Sequence, residues 1–195
     1  EAARDYFTNP DEAIELFELI RGSTLQRARD HAQKRIQTRE DSPYYILMQL
    51  VCETEQPESE LFPDHSVFFE KMAMFFMDGL RHSDSDAPMF PDAEGVDFDS
   101  NPHRLMSVRE AASEMSRGQP KRTYDIVVPL PKLDAFVEQL DTLAARDYPN
   151  VQLEVFGHAG VGALHIHFIG QEASDAADLD TAVFDLTRLQ RGLHG

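Results

Sequence analysis

Two runs with alternating side chains, Val151 to Gly157 and Ala163 to Gly170, are joined through Gly157-His158-Ala159-Gly160-Val161-Gly162, and so glycine-rich a junction between such runs reads as a β-hairpin. Period-two alternation then sorts the side chains. Leu153, Val155, Leu164, Ile166 and Phe168 go to one face, the expected core, and Glu154, His158, His165 and His167 to the other. With a two-residue turn centred on Val161-Gly162, His158 faces His165 and Phe156 faces His167. Opposed Cβ atoms lie about 4.5 to 5.5 Å apart, close enough for two imidazoles to share a metal ion. Such an ion needs at least one further ligand, commonly a carboxylate. Glu154 shares the face but sits two pairs away. Val161 fits poorly at a turn position that requires positive φ, which leaves a wider turn open.

The rest of the chain supplies helices and further strands for this hairpin. Asn9-Pro10-Asp11-Glu12 carries a capping residue, a proline and early acids, and Ile14, Phe17 and Ile20 recur at helical spacing, so a helix is expected there. A second, basic helical stretch follows from Thr24 to Thr38 and is expected on the surface. Tyr44 to Cys52 reads as a buried strand, and His65 to Arg81, rich in Phe and Met, as a helix buried on two sides. Residues 82–101, with Pro88, Pro91 and Gly95 among acids, read as an acidic loop. Pro102 to Arg117 reads as a helix and Tyr124 to Leu130 as a strand. Leu133, Phe136, Val137, Leu140, Leu143 and Ala144 define an amphipathic helix, and Leu179, Ala182, Val183, Leu186 and Leu189 a last one. The expected fold is α+β: an antiparallel sheet with helices packed on one face, ferredoxin-like. An N-terminal helical segment, 1–41, precedes an α+β domain, 42–195.

Thirty-five acidic against 18 basic residues give a formal charge of −17, which argues against a nucleic acid partner, whose affinity depends on clustered Lys and Arg. No run approaches the roughly 18 apolar residues of a membrane span. The N-terminus lacks a secretory pattern, and the single cysteine, Cys52, fits a reducing compartment. A cytoplasmic protein is expected, with a homodimer as a candidate assembly.

Gly157 to His165 resembles the Gly-His-x-Gly-Asp-Gly-Asn-Leu-His signature of the C-terminal domain of FAD-linked oxidases, a group that includes D-lactate and D-2-hydroxyglutarate dehydrogenases and the flavin subunit of glycolate oxidase. Upstream, Leu105 to Ser113 resembles the family's helix with an Arg-Glu pair, and Tyr124 to Leu133 its Asp-x-x-Val-Pro strand and helix start. The likeness extends over 42–190 and is strongest from 105 to 170. It implies a substrate-binding cap for a small D-2-hydroxy acid, with FAD held by a domain absent from this chain, so that the chain is not a complete catalyst alone. By carry-over, His158 and His165 are ligands of a divalent metal, zinc or manganese, with a third ligand from a later Glu-His-Gly segment. Arg109 is a clamp for the substrate carboxylate, Ser113 stands where relatives can use Thr, and Lys121 or Arg122 supplies a second positive group. A metal can bind hydroxyl and carboxylate oxygens together, and a planar guanidinium holds a carboxylate through two hydrogen bonds. Val161 and Ala163 replace the signature Asp and Asn, which motivates an alternative: a non-catalytic binding or assembly module that has kept the fold.

Overall fold

The computed structural model describes residues 12–33, 42–52, 57–61, 66–80 and 102–190. Two compact units divide the chain: Glu1–Leu16 with Met48–Ser100, and Phe17–Leu47 with Asn101–Gly195. The elements, in order, are β1 (Glu12–Arg21), α1 (Gly22–His31), β2 (Tyr44–Cys52), α2 (Val67–Leu80), α3 (Pro102–Glu114), β3 (Lys121–Val127), α4 (Leu133–Asp147), β4 (Gln152–His158), β5 (Ala163–Ile169), α5 (Gln171–Asp175) and α6 (Leu179–Gln190). One five-stranded sheet has the order β2-β1-β4-β5-β3, and the pairs β1–β4, β4–β5 and β5–β3 are antiparallel. The α+β class read from the sequence is the one observed. The expected acidic loop at 82–101 lies outside the described residues.

In the second unit, Tyr124 and Ile126 of β3, Leu153 and Val155 of β4, Leu164, Ile166 and Phe168 of β5 and Leu19 of β1 form one apolar sheet face. It packs on Phe136, Val137, Leu140, Leu143 and Ala144 of α4 and on Leu179 and Val183 of α6. These are the apolar stripes visible in the sequence. The opposite face carries helices as well: Leu25 and Ala28 of α1 and Val108, Ala111, Ala112 and Met115 cluster with Ile20 and Phe156 of the sheet. The basic stretch after Thr24 is therefore no bare surface helix, since Thr24, Leu25 and Ala28 are buried. Thr24 also answers a vacancy in the ladder, where β1 pairs with β4 only up to Phe156 and the Thr24 hydroxyl accepts from the Val155 N–H at 3.2 Å.

The helix expected around Ile14, Phe17 and Ile20 is a strand. Leu19 joins one core and Ile20 the other. A strand buried on both faces loses the polar alternation that marks a strand in sequence, and the leftover spacing imitates a helix. Pairing with β4 decides the conformation, as tertiary context does for a short run of ambiguous propensity.

In the first unit, a bridge pairs Glu58 with Ser66, the Val67 N–H donates to the Pro57 carbonyl at 2.9 Å, and the Ser59 hydroxyl donates to Glu70 at 2.6 Å, which together fix the start of α2. None of the described helices is long and apolar enough to cross a membrane.

Burial raises the pKa of the Tyr44 and Tyr124 hydroxyls, reinforced by their hydrogen bonds to Asp141 and Asp180. A group bound more tightly to its proton when folded weakens the fold once pH passes the unfolded value, about 10 for tyrosine. Stability should therefore fall above that pH, and the double variant Tyr44→Phe, Tyr124→Phe should flatten the fall in urea titrations run at rising pH.

Candidate functional site on the histidine face of the sheet

The hairpin turns differently from the two-residue expectation. Ala159–Val161 form a 3-10 turn and Gly162, at φ 69°, closes a four-residue loop. Phe156 is thereby set opposite His165, and His158 opposite Ala163. The register moves by two, so each side chain keeps its face. His158 and His165 become diagonal neighbours, ring centroids 6.2 Å apart and edge to face, with Phe156 5.2 Å from the His165 ring.

Each histidine of this face holds a carboxylate through Nδ1, and each carboxylate comes from a different strand. His158 Nδ1 lies 2.6 Å from Glu18 Oε1 of β1, His165 Nδ1 2.5 Å from Asp125 Oδ1 of β3, and His167 Nδ1 3.1 Å from Glu154 Oε2 of its neighbour β4. Glu18 and Glu154 are fully buried, and both are paired with arginine from the covering helices. Arg109 Nη2 of α3 lies 3.4 Å from Glu18 Oε1, and Arg27 Nη1 of α1 2.5 Å from Glu154 Oε1. Buried carboxylates persist only with such partners. The Ser116 hydroxyl sits 3.2 Å from His167 Nδ1 and accepts from Lys121 Nζ at 2.9 Å, which draws Lys121 toward the histidines.

Arg109, His158 and His165 are thus gathered on one face, with Glu18 linking the first two. Ser113 lies one turn beyond Arg109; it is exposed, and its hydroxyl donates to the Glu110 carbonyl. Arg122 is not part of the arrangement. Strand alternation puts it on the face of Tyr124 and Ile126, where Nη1 lies 3.2 Å from Asp180 of α6. Of the two cations considered, Lys121 is the one on the histidine face. Because the Arg122–Asp180 pair is partly exposed and Asp180 keeps its bond from the Tyr124 hydroxyl, Arg122→Ala should change stability by about 1 kcal/mol, measurable by urea unfolding. Glu18, Asp125, Glu154, Arg27 and His167 were not singled out as site residues in the sequence; strand parity alone could have flagged Asp125, which alternates with Tyr124 and Ile126 and so shares the face of the histidines.

The profile of the family described as "FAD linked oxidases, C-terminal domain" matches residues 2–195. The chain belongs to that family. Among relatives of this FAD-linked oxidase domain is a D-2-hydroxyglutarate dehydrogenase of Stutzerimonas stutzeri, 25% identical over 135 residues that cover 69% of this chain and 26% of the relative. A D-2-hydroxyglutarate dehydrogenase of Xanthomonas citri pv. viticola is 25% identical over 178 residues, 90% of this chain and 34% of the relative. The chain spans about a third or less of the length of these relatives.

The family is linked to FAD, and the glycines of the hairpin do not form a cradle for its phosphates. A Cβ on Gly157, at φ +152°, would stand 2.3 Å from the Ala163 carbonyl oxygen, and one on Gly162 2.0 Å from that of Val128. Both glycines are used by the approach of the chain to itself. For a divalent metal the donors fit in part. With a carboxylate at each Nδ1, His158 and His165 both have Nε2 left to bind, and beside them Glu18 Oε2 and Arg109 Nε are buried without hydrogen-bond partners. Among the described residues, no three His, Cys, Asp or Glu side chains are grouped so as to hold a metal. Two imidazoles alone fall short of the donor set that a divalent ion requires.

Proposed function

We propose that this chain is the substrate-side cap of an FAD-dependent dehydrogenase of D-2-hydroxy acids, with D-2-hydroxyglutarate, named by both relatives, the first substrate to test. The observation that carries the reading is Arg109 beside His158 on one sheet face, the two joined by the buried Glu18. Arg109 Nε is buried without a partner while Nη2 faces Glu18, and a guanidinium can hold a substrate carboxylate in a fixed plane through two parallel N–H donors. Lys121 adds positive charge on the same face, and Ser113 offers a hydroxyl one turn along the helix. His158 and His165 supply two nitrogen ligands to a divalent ion, zinc or manganese. Such an ion acts as a Lewis acid that lowers the pKa of a bound hydroxyl. FAD, which the family implies, would be held by another domain and would supply the hydride acceptor. Cytoplasmic location and homodimer assembly belong to the same proposal and are checked by fractionation and light scattering.

The test uses the full-length protein. It should carry flavin and bleach a redox dye with D-2-hydroxyglutarate, D-lactate or glycolate; absence of both flavin and dye reduction would sink the enzyme reading. A second reading, a non-catalytic binding module, draws on Val161, which is 61% exposed at the hairpin tip where the family signature has Asp. Metal analysis separates the two, because zinc or manganese lost on alanine substitution at either His158 or His165 disfavours the module.

A further inference from the structure

We propose that Glu18 and Asp125 are positioning residues for the histidine pair, each holding the Nδ1 proton of one ring so that both rings keep Nε2 as the free electron-pair donor. The proposal rests on the reading of His158 and His165 as ligands and adds to it the groups that fix their tautomers. An ionised carboxylate only accepts hydrogen bonds, so a ring nitrogen 2.5 or 2.6 Å from one must carry the proton. In a neutral imidazole the other nitrogen is then bare, and the tautomer is set without any metal present.

Sheet register builds this arrangement in. Glu18 is the Cα partner of His158 across β1–β4, and Asp125 is the partner of His165 across β3–β5. The two strands flanking the hairpin therefore each deliver one carboxylate directly opposite one histidine. A slip of one residue would turn the carboxylate to the other face, and a slip of two would carry it out of reach. The two partners differ in setting. Asp125 is exposed, 82% by side chain, while Glu18 is fully buried and also takes Arg109 Nη2. Glu18 therefore orients the carboxylate clamp and one ligand together.

The experiment uses protein labelled with 15N in its histidine rings and freed of metal by chelation. Long-range 1H–15N spectra should show His158 and His165 both as Nδ1–H tautomers. Asp125→Ala should return His165 toward the Nε2–H form that free histidine favours and leave His158 unchanged; Glu18→Leu, which removes the acceptor, should do the same to His158 alone. Either substitution should weaken zinc binding, followed by calorimetry, about 10- to 100-fold. Wild-type rings in the Nε2–H form, or a His165 tautomer indifferent to Asp125→Ala, would overturn the proposal, as would full zinc affinity in both variants. If Glu18→Leu loses its far-UV dichroism, the exposed Asp125 site and the wild-type His158 tautomer decide. Wild-type protein that binds no zinc refutes the metal part of the proposed function, and the tautomer spectra still decide the positioning role.

Discussion

Gly162→Ala is expected to destabilise the protein by about 3 to 4 kcal/mol, combining the cost of a left-handed alanine with that of a lost buried hydrogen bond. Gly162 lies at φ 69°, and a Cβ there would stand 2.0 Å from the Val128 carbonyl oxygen. That oxygen is backbone and cannot swing aside as a side chain would. Relief requires the hairpin loop to move away from the end of β3, which breaks the bond from the Val128 N–H to the Gly162 carbonyl at 2.9 Å. For a chain of this length each kcal/mol moves the melting temperature about 2 to 4 °C, so the midpoint should drop roughly 6 to 16 °C in thermal scans followed by circular dichroism. A shift under about 3 °C would show that the loop accommodates the methyl, and that Gly162 does not fix the turn. The effect reaches the site because the same loop sets which residues of β4 and β5 are opposed, and hence the diagonal placement of His158 and His165.

That loop also marks where sequence reading succeeds and where it stops. The two faces of the hairpin were legible, because alternation depends on each residue's own number and survives a register shift of two. The register was not, because it depends on turn type, and a 3-10 turn with Gly162 alone at positive φ has the same glycines as the tight turn. That Arg122 lies off the histidine face could have been read from its alternation with Tyr124 and Ile126. Glu18 could not have been found this way. It stands as one acid in an apolar run, and its meaning comes from His158, 140 positions along the chain, through a strand pairing that no local pattern records. The α4 and α6 stripes, by contrast, were plain from spacing, since each helix is buried along one side only. The second helical layer was less visible because α1 buries only Thr24, Leu25 and Ala28, too small a stripe to separate from a surface helix.

On the proposed dehydrogenase reading, Arg109→Ala in the full-length protein is expected to lower kcat/KM for D-2-hydroxyglutarate about 10²- to 10⁴-fold, the loss of two charge-assisted hydrogen bonds at roughly 1.5 to 3 kcal/mol each. Arg109→Lys keeps the charge and loses the planar fork, so it should fall between the variant and wild type. Arg109→Lys keeps a cation beside the buried Glu18 and should keep the fold, whereas Arg109→Ala strips that carboxylate of its arginine and should lower stability. Arg109 contacts Glu18 at 3.4 Å, a long and weak approach, while His158 at 2.6 Å remains as that carboxylate's closer partner. Activity compared where far-UV circular dichroism shows each variant folded, with Arg109→Lys as the stable variant, separates a binding defect from unfolding. Arg122→Ala provides the matched control, since it removes the same charge 13 positions away on the other face of the sheet, where Asp180 holds it. It should leave kcat/KM within about twofold of wild type, as expected for a partly exposed pair on the face away from the histidines. Activity within about threefold of wild type in Arg109→Ala, a difference under about 1 kcal/mol, would remove Arg109 from the clamp; equal losses in the two alanine variants would show that overall charge, rather than the histidine face, draws in the acid.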